Sequence, residues 1–301
     1  MSDKIKLTFL GTAGAIPSAK KNHSAILLNY KDENILVDCG EGTQRQFRKA
    51  KLNPCKITKI LITHKHGDHV YGLPGLLSTL NFSGYNKNLI LYGPKGIKKF
   101  LNNFLDIKNF KKDFKFEIKE VAGNFFENED FYIESEKMTH SVPCNAYSFV
   151  LKDKLRIDKK KLEKAKIPAG PLLQDLKKGK NISFNGKKYN TKNLTYLEKG
   201  KKISFVLDTS LNNKIVPFVK NSNLFVSECS FDKQRKDLAK EFFHLTSEQV
   251  GNIAKKANVE KLIITHLSSR YDKEPKKILS EVKEIFPKVV LANDLDKVEI
   301  Q

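Results

Sequence analysis

The run Thr63-His64-Lys65-His66-Gly67-Asp68-His69 places three imidazoles and a carboxylate within six residues, in a chain with only seven histidines. Imidazole nitrogen and carboxylate oxygen are the usual ligands of catalytic zinc. The cluster follows an apolar run, Ile57–Thr63, whose composition predicts a strand. A rigid strand would deliver a tight loop whose side chains converge, and Gly67 is expected to allow the sharp bend. Three further residues share this context. Asp208 follows a predicted strand at Ile203–Leu207, His266 follows one at Lys261–Thr265, and His140 follows the β-like run Phe131–Met138. In layered β/α folds, ligands collect at strand ends. Each of the three alone reads more readily as a turn or capping residue; with the loop they form one coherent set.

The rest of the 301-residue chain supports such a layered fold. Strands are predicted at Lys6–Leu10, Ser24–Leu28, Asn34–Val37 and Leu89–Tyr92, with helices at Thr43–Ala50, Val70–Phe82 and Gly96–Leu105. A second β/α stretch begins at Ile203 and includes a strand at Leu224–Ser227. Thr246 and Gln249 form a capping box that opens a helix reaching about Ala257. Pro275 starts another helix, with Ile278, Val282 and Ile285 on one face. Two such halves predict two sheets packed face to face and flanked by helices.

The halves are separated by a segment of different character. Lys152–Lys202 holds 17 Lys or Arg against five Asp or Glu, out of a net charge of +21 for the whole chain. It is poor in core patterning and reads as an inserted arm. The overall charge favours a polyanionic partner. Genome composition could explain why only five of the basic residues are arginine, but explains less well the excess over acidic residues. No amphipathic basic helix stands out, so nucleic acid is favoured over a membrane surface. No apolar run approaches the roughly 18 residues of a membrane helix, and the N-terminal stretch lacks a signal-peptide pattern. The four cysteines show no Cys-x-x-Cys spacing, and free thiols suit a reducing cytoplasm.

The order HxHxDH, then a downstream His, Asp and His, resembles the metallo-β-lactamase superfamily over nearly the whole chain. The resemblance implies a single α/β domain over residues 1–301, a four-layer αββα sandwich with the arm inserted. It implies two zinc ions per subunit: His64, His66 and His140 on one, Asp68, His69 and His266 on the other, Asp208 bridging, and a shared hydroxide as nucleophile. Asp68 would then be catalytic as well as a ligand.

Further stretches are similar to the ribonuclease Z family in its short form, the endoribonucleases that trim precursor tRNA 3′ of the discriminator nucleotide and leave a 3′-hydroxyl. Asp38-Cys39-Gly40-Glu41-Gly42-Thr43-Gln44-Arg45-Gln46 resembles that family's first motif, with Asp38 expected to orient a ligand. Leu73-Pro74-Gly75-Leu76-Leu77 and Thr265-His266-Leu267-Ser268-Ser269-Arg270-Tyr271 resemble it too. Arg270 is expected either to clamp phosphate or to sit in a structural ion pair. Lys20, Lys21 and Asn22 fall in a stretch like the family's early substrate loop, with Lys21 where arginine is common; His23 beside them is not expected to be a ligand. Gly170-Pro171 matches the family's arm motif, implying an arm that grips the tRNA body through phosphates. Ser227-Glu228-Cys229-Ser230 stands where the family has His-Glu-Ala-Thr, so Glu228 is retained and the histidine is replaced by Ser227. His244-Leu245-Thr246 matches its His-Ser-Thr loop. His244, oriented by Glu228, is expected to protonate the leaving oxygen, against a purely structural role before the helix. The resemblance also implies a homodimer.

Three other readings compete. Another phosphodiesterase of this fold, acting on other RNA or small diesters, would not need the arm. A catalytically dead RNA-binding scaffold would have no reason to retain the ligand set. A β-lactam or thioester hydrolase suits the histidine cluster but neither the arm nor the Asp38–Gln46 stretch.

Overall fold

A computed structural model describes residues 4–105 and 113–300. Two compact units divide it: Met1–Phe126, Ile133–Phe149 and Lys202–Gln301 make the first, Glu127–Tyr132 and Val150–Lys201 the second.

The first unit opens with an antiparallel meander, β1 (Ile5–Gly11), β2 (Ala25–Tyr30) and β3 (Glu33–Val37). The β2–β3 turn is two residues long and holds Lys31 at φ 51°. The chain continues through α1 (Thr43–Lys49), β4 (Lys59–Leu61), α2 (Gly67–Val70), α3 (Leu73–Phe82), β5 (Leu89–Gly93), α4 (Ile97–Phe104) and β6 (Phe116–Glu120). From β3 to β6 the pairing is parallel. Successive strand residues point to opposite faces, so Leu36, Ile60 and Leu91 meet Phe47 of α1, Leu76 and Leu80 of α3 and Leu101 of α4 on one side. Burying each such side chain contributes about 1.5–3 kcal/mol. The neighbouring buried residues Val37, Leu61 and Tyr92 face the other way.

Next come β7 (Gly123–Glu127), β8 (Phe131–Met138) and β9 (Cys144–Leu151). The second unit then contributes β10 (Lys154–Ile157), α5 (Lys159–Lys164), α6 (Leu172–Lys177), β11 (Ile182–Phe184), β12 (Lys187–Tyr189), α7 (Thr191–Leu194) and β13 (Thr195–Glu198). The chain returns through β14 (Lys202–Val206), α8 (Ile215–Val219), β15 (Leu224–Glu228), α9 (Lys236–Glu241), α10 (Ser247–Lys256), β16 (Leu262–Thr265), α11 (Pro275–Ile285), β17 (Val289–Leu291) and β18 (Lys297–Ile300). Among the described residues, fourteen strands form two seven-stranded sheets, β18-β1-β2-β3-β4-β5-β6 and β17-β16-β15-β14-β9-β8-β7, while β10 pairs with β13 and β11 with β12. On the second sheet, Val206, Phe225 and Ile264 pack against Ile215, Val250, Ile253, Ile278 and Val282 of α8, α10 and α11. The inner faces of the two sheets meet: the Tyr30 and Phe149 rings lie 5.8 Å apart, and the Tyr147 hydroxyl donates to the Ile62 carbonyl at 2.7 Å.

Several sequence expectations hold closely. The Thr246–Gln249 capping box forms in full, and Pro275 opens α11 with Ile278 and Val282 buried. Three differ. The helix expected over Val70–Phe82 is two helices, α2 and α3, broken at Tyr71-Gly72, because Gly72 passes so close to the first motif that a Cβ on it would lie 2.0 Å from the Gly40 carbonyl. Only Lys59–Leu61 of Ile57–Thr63 pairs as strand, since Pro54–Lys56 forms a 3₁₀ turn just before it. Gly67 supplies no left-handed bend; it begins α2, and a Cβ there would sit 2.3 Å from the Tyr71 ring.

The second unit, expected to be poor in core patterning, has a small core of its own: Leu162, Ile167, Leu176, Ile182 and Leu194 are buried together. Its β11–β12 hairpin turns on Asn185-Gly186, both at positive φ, the geometry that two-residue hairpins prefer.

Candidate metal centre

Five of the seven histidines converge from the C-terminal ends of strands in the first unit, and His244, after α9, joins them. Asp38 follows β3, the His64–His69 loop follows β4, His140 follows β8, Asp208 follows β14 and His266 follows β16. Asp38, Asp208 and His266 all lie in the left-handed region, at φ 58°, 48° and 57°. This conformation costs a non-glycine residue about 1–3 kcal/mol and persists only where surroundings enforce it. Here it turns each side chain off its strand and toward a common point.

The donors form two groups of four that share Asp208, each with its ligand atoms within 4.8 Å of one another. In the first, His66 Nδ1 lies 3.0 Å from His64 Nε2 and 3.1 Å from His140 Nε2, and Asp208 Oδ2 is 3.6 Å from His64 Nε2. In the second, His69 Nε2 and His266 Nε2 are 3.3 Å apart, with Asp68 Oδ2 at 3.3 and 3.2 Å from them. Asp208 Oδ1 faces this second group, 3.2 Å from His266 Nε2, yet it is buried without a hydrogen-bond partner. A buried carboxylate oxygen left so is costly.

The opposite edge of most rings is held. The Asp38 carboxylate is fully buried, accepts from the Thr63 amide and hydroxyl, and lies 2.7 Å from His69 Nδ1. The Thr63 oxygen also faces His64 Nδ1 at 3.0 Å, the Phe243 carbonyl faces His140 Nδ1 at 3.2 Å, and Ser230 Oγ faces His266 Nδ1 at 3.3 Å. These contacts place the ring protons on Nδ1 and leave Nε2 lone pairs pointing inward.

That arrangement fits a pair of divalent cations. Ligands on a tetrahedral zinc with arms of about 2.0–2.1 Å stand about 3.3 Å apart, close to the separations seen. Burial holds His64, His66 and His140 below their ordinary pKa, the neutral state that ligation requires. Burial alone would also lower His69, but the carboxylates of Asp68, Asp208 and Asp38 raise it well above. Burial would raise Asp208 and Asp68, but the neighbouring histidines hold both below the usual carboxylate range. The negative potential that favours a proton on His69 is what a bound dication would meet.

Beside the two groups lies a third, Glu228, His244 and His266. Glu228 is fully buried at the end of β15; its Oε1 lies 3.0 Å from His244 Nδ1 and accepts from the Thr209 amide, and its Oε2 accepts from Ser230 Oγ at 2.7 Å. The His244 ring is 5.6 Å from both His140 and His266. Ser227, standing in place of the family's histidine, is buried within β15, and its hydroxyl donates to the Glu228 carbonyl.

The remaining named residues are outside these groups. His23 is buried, with Nε2 3.4 Å from the Ala15 carbonyl. Lys21 and Asn22 line a cavity of about 530 Å³ with Glu41, Arg45 and Tyr71, and the Asn22 amide donates to Asp294 at 2.7 Å. Lys20 is exposed nearby. Arg270 is exposed, donates from Nε to Ser268 Oγ at 3.0 Å, and holds its guanidinium 5.2 Å from the Phe231 ring centre. No carboxylate pairs with it among the described residues. Gly170 and Pro171 are exposed and lead into α6 of the second unit. Sequence reasoning missed Thr63, Thr209, Ser230 and Phe243, whose contacts are made by common hydroxyl or backbone groups that carry no signature.

Two facing sheets with helices outside and histidine and aspartate donors at the strand ends make this a protein of the metallo-β-lactamase fold. Human tRNase Z, short form, superposes with a TM-score of 0.71 at 26% identity, covering 97% of this chain and 98% of that one. The metallo-β-lactamase fold protein YhfI of Bacillus subtilis gives 0.72 at 21%, covering 99% and 100%. Over residues 5–161 the chain also falls within the family described as "Anti-Pycsar protein Apyc1". Full-length likeness extends further, through the half that holds Asp208, His244 and His266. Ribonuclease Z of Oceanobacillus iheyensis is 40% identical over 308 residues, 98% of this chain and all of that one. That of Nanoarchaeum equitans is 38% identical over 293 residues, 96% and 92%. The chain belongs to the ribonuclease Z family.

Proposed function

We infer that this protein is a metal-dependent endoribonuclease that removes the 3′ trailer of precursor tRNA, hydrolysing 3′ of the discriminator nucleotide and leaving a 3′-hydroxyl. The observation that supports it most directly is the pair of four-donor groups sharing Asp208, in a chain whose full length matches ribonuclease Z. His64, His66 and His140 would hold one zinc, Asp68, His69 and His266 the other, and Asp208 both. Such a pair supplies an activated water at neutral pH and Lewis acidity toward a phosphodiester.

The chain's own groups do the rest. Asp38 and Thr63 fix the His69 and His64 rings. Glu228 anchors His244 through Nδ1 and leaves Nε2 to protonate the departing 3′ oxygen, while Asp68 takes part from its place between His69 and His266. Arg270, held over Phe231 and free of acidic partners among the described residues, would meet phosphate, as would Lys20, Lys21 and Asn22. The lysines of the second unit bind the tRNA body around Gly170-Pro171, giving affinity without sequence readout. A homodimer in the cytoplasm is the setting we propose. No helix among the described residues is long and apolar enough to cross a membrane.

The test is incubation with a 3′-extended precursor tRNA transcript, with and without chelator, and mapping of the cut. Cleavage at the discriminator that chelation abolishes supports the reading; no cleavage by zinc-loaded protein, or cleavage at scattered sites, overturns it.

A further inference from the structure

Phe243 combines three properties that folding alone does not explain. It lies at φ 59°, just past the end of α9, a position where glycine is the ordinary choice and a bulky residue is strained. The residue is still 36% exposed, so part of its apolar surface stays open to solvent at the cost of the strain. The ring also stands edge-on to His140, 6.2 Å between centres at 84°, and the residue directly precedes His244. The backbone cannot easily relax, because its carbonyl is engaged by His140 Nδ1 and its amide by the Lys240 carbonyl. The neighbouring Phe242 is committed elsewhere, with its ring stacked on Phe231. The result is a partly exposed aromatic ring beside the donor groups, next to the imidazole proposed to protonate the leaving oxygen.

We propose that Phe243 is a substrate-contact residue whose ring stacks on the base of the discriminator nucleotide, the nucleotide whose 3′ oxygen departs. This rests on the tRNA-processing reading above. Every base has a π-face, so stacking on an aromatic side chain grips a nucleotide without choosing among the four. An enzyme that must accept tRNAs with different discriminators needs such a contact, and one on the residue before His244 would also bring the departing oxygen to that imidazole.

The experiment crosses protein and substrate changes. Precursor tRNA with a normal or an abasic discriminator is cleaved by the wild-type protein, F243G and F243L, with bound metal per chain measured for each. Removing the base should lower wild-type kcat/KM about tenfold, the scale of one lost base–aromatic stack. F243G should show a similar loss on the normal substrate and little further loss on the abasic one; F243L should lie between. Glycine relieves the left-handed strain but gives up the partly buried ring, so the melting temperatures of both variants are measured to separate a lost contact from a lost fold. In chelated, non-cleaving protein, 2-aminopurine at the discriminator should be more strongly quenched on binding wild type than on binding F243G. Equal cost of the abasic change in wild type and F243G, or loss of bound metal in F243G, would overturn the proposal. Failure of wild type to cut the normal precursor at all would instead strike the reading on which it rests.

Discussion

Asp38 Oδ2 and His69 Nδ1 lie 2.7 Å apart, both fully buried, on residues 31 positions apart in the chain. The carboxylate holds the ring so that Nε2 faces Asp68, Asp208 and His266. Replacing such a partner of a metal-binding histidine typically weakens metal binding about 10–100-fold. We expect D38A to retain the fold but to lose zinc to a competing chelator at correspondingly lower chelator strength. Unchanged competition would show that Asp38 only closes a turn.

His244 should act on the chemical step without holding metal. H244A is predicted to lower the single-turnover cleavage rate about 10²–10⁴-fold, the range for general acid–base groups, with metal content unchanged. A single-turnover rate equal to wild type would remove His244 from the mechanism.

The Glu228–His244 pair has a pH signature in the metal-free protein. Burial works against the imidazolium, but Glu228 at 3.0 Å and then Asp208 outweigh it, pushing His244 up to about 9. A raised folded-state value means the pair's contribution is fully present below about 6.5, the ordinary histidine value, and is lost as pH rises through about 9. NMR titration of chelated protein should therefore show the His244 imidazole still protonated at pH 8, beside that of His69, and E228Q should remove the His244 signal alone. An ordinary titration midpoint in the wild type would contradict the pairing.

In the second unit, Lys152, Arg156 and Lys199 pair with Glu127, Glu198 and Asp153, whereas Lys160, Lys164, Lys177 and Lys188 form no ion pair among the described residues. Changing these four to glutamine should weaken precursor tRNA binding and lower the salt slope of log affinity by roughly one per phosphate contact removed. Hydrolysis of a small chromogenic phosphodiester should be unaffected. Equal loss on both substrates would mean that the lysines act on the fold and not on RNA.

The donor set could be read from the chain because imidazoles and carboxylates are scarce, and because apolar runs before residues 64, 208 and 266 mark strand ends. What could not be read was how the strands deliver them. Nothing in local composition sets Asp38, Asp208 and His266 left-handed; the turn is enforced by neighbours such as Thr12, whose carbonyl takes the His266 amide. The break between α2 and α3 was hidden for a related reason, since it comes from Gly72 meeting Gly40 across 32 residues. Strands β6, β7, β9 and β18 also escaped notice: β6, β7 and β18 are half-exposed and mix charged with apolar residues, while β9 is buried along six successive positions and shows no alternation. The second unit looked coreless because its five buried side chains are spread among lysines over Leu162–Leu194.

Donors drawn from His64 to His266 come from both β-layers, so metal held among them would clasp the layers together. Any opening that parted the layers would also release bound ions, so a hundredfold excess of a free divalent metal over its dissociation constant would add about 2.7 kcal/mol to the folded state through one such site. Scarcity of the metal would then shorten the working life of the whole molecule as well as silencing it.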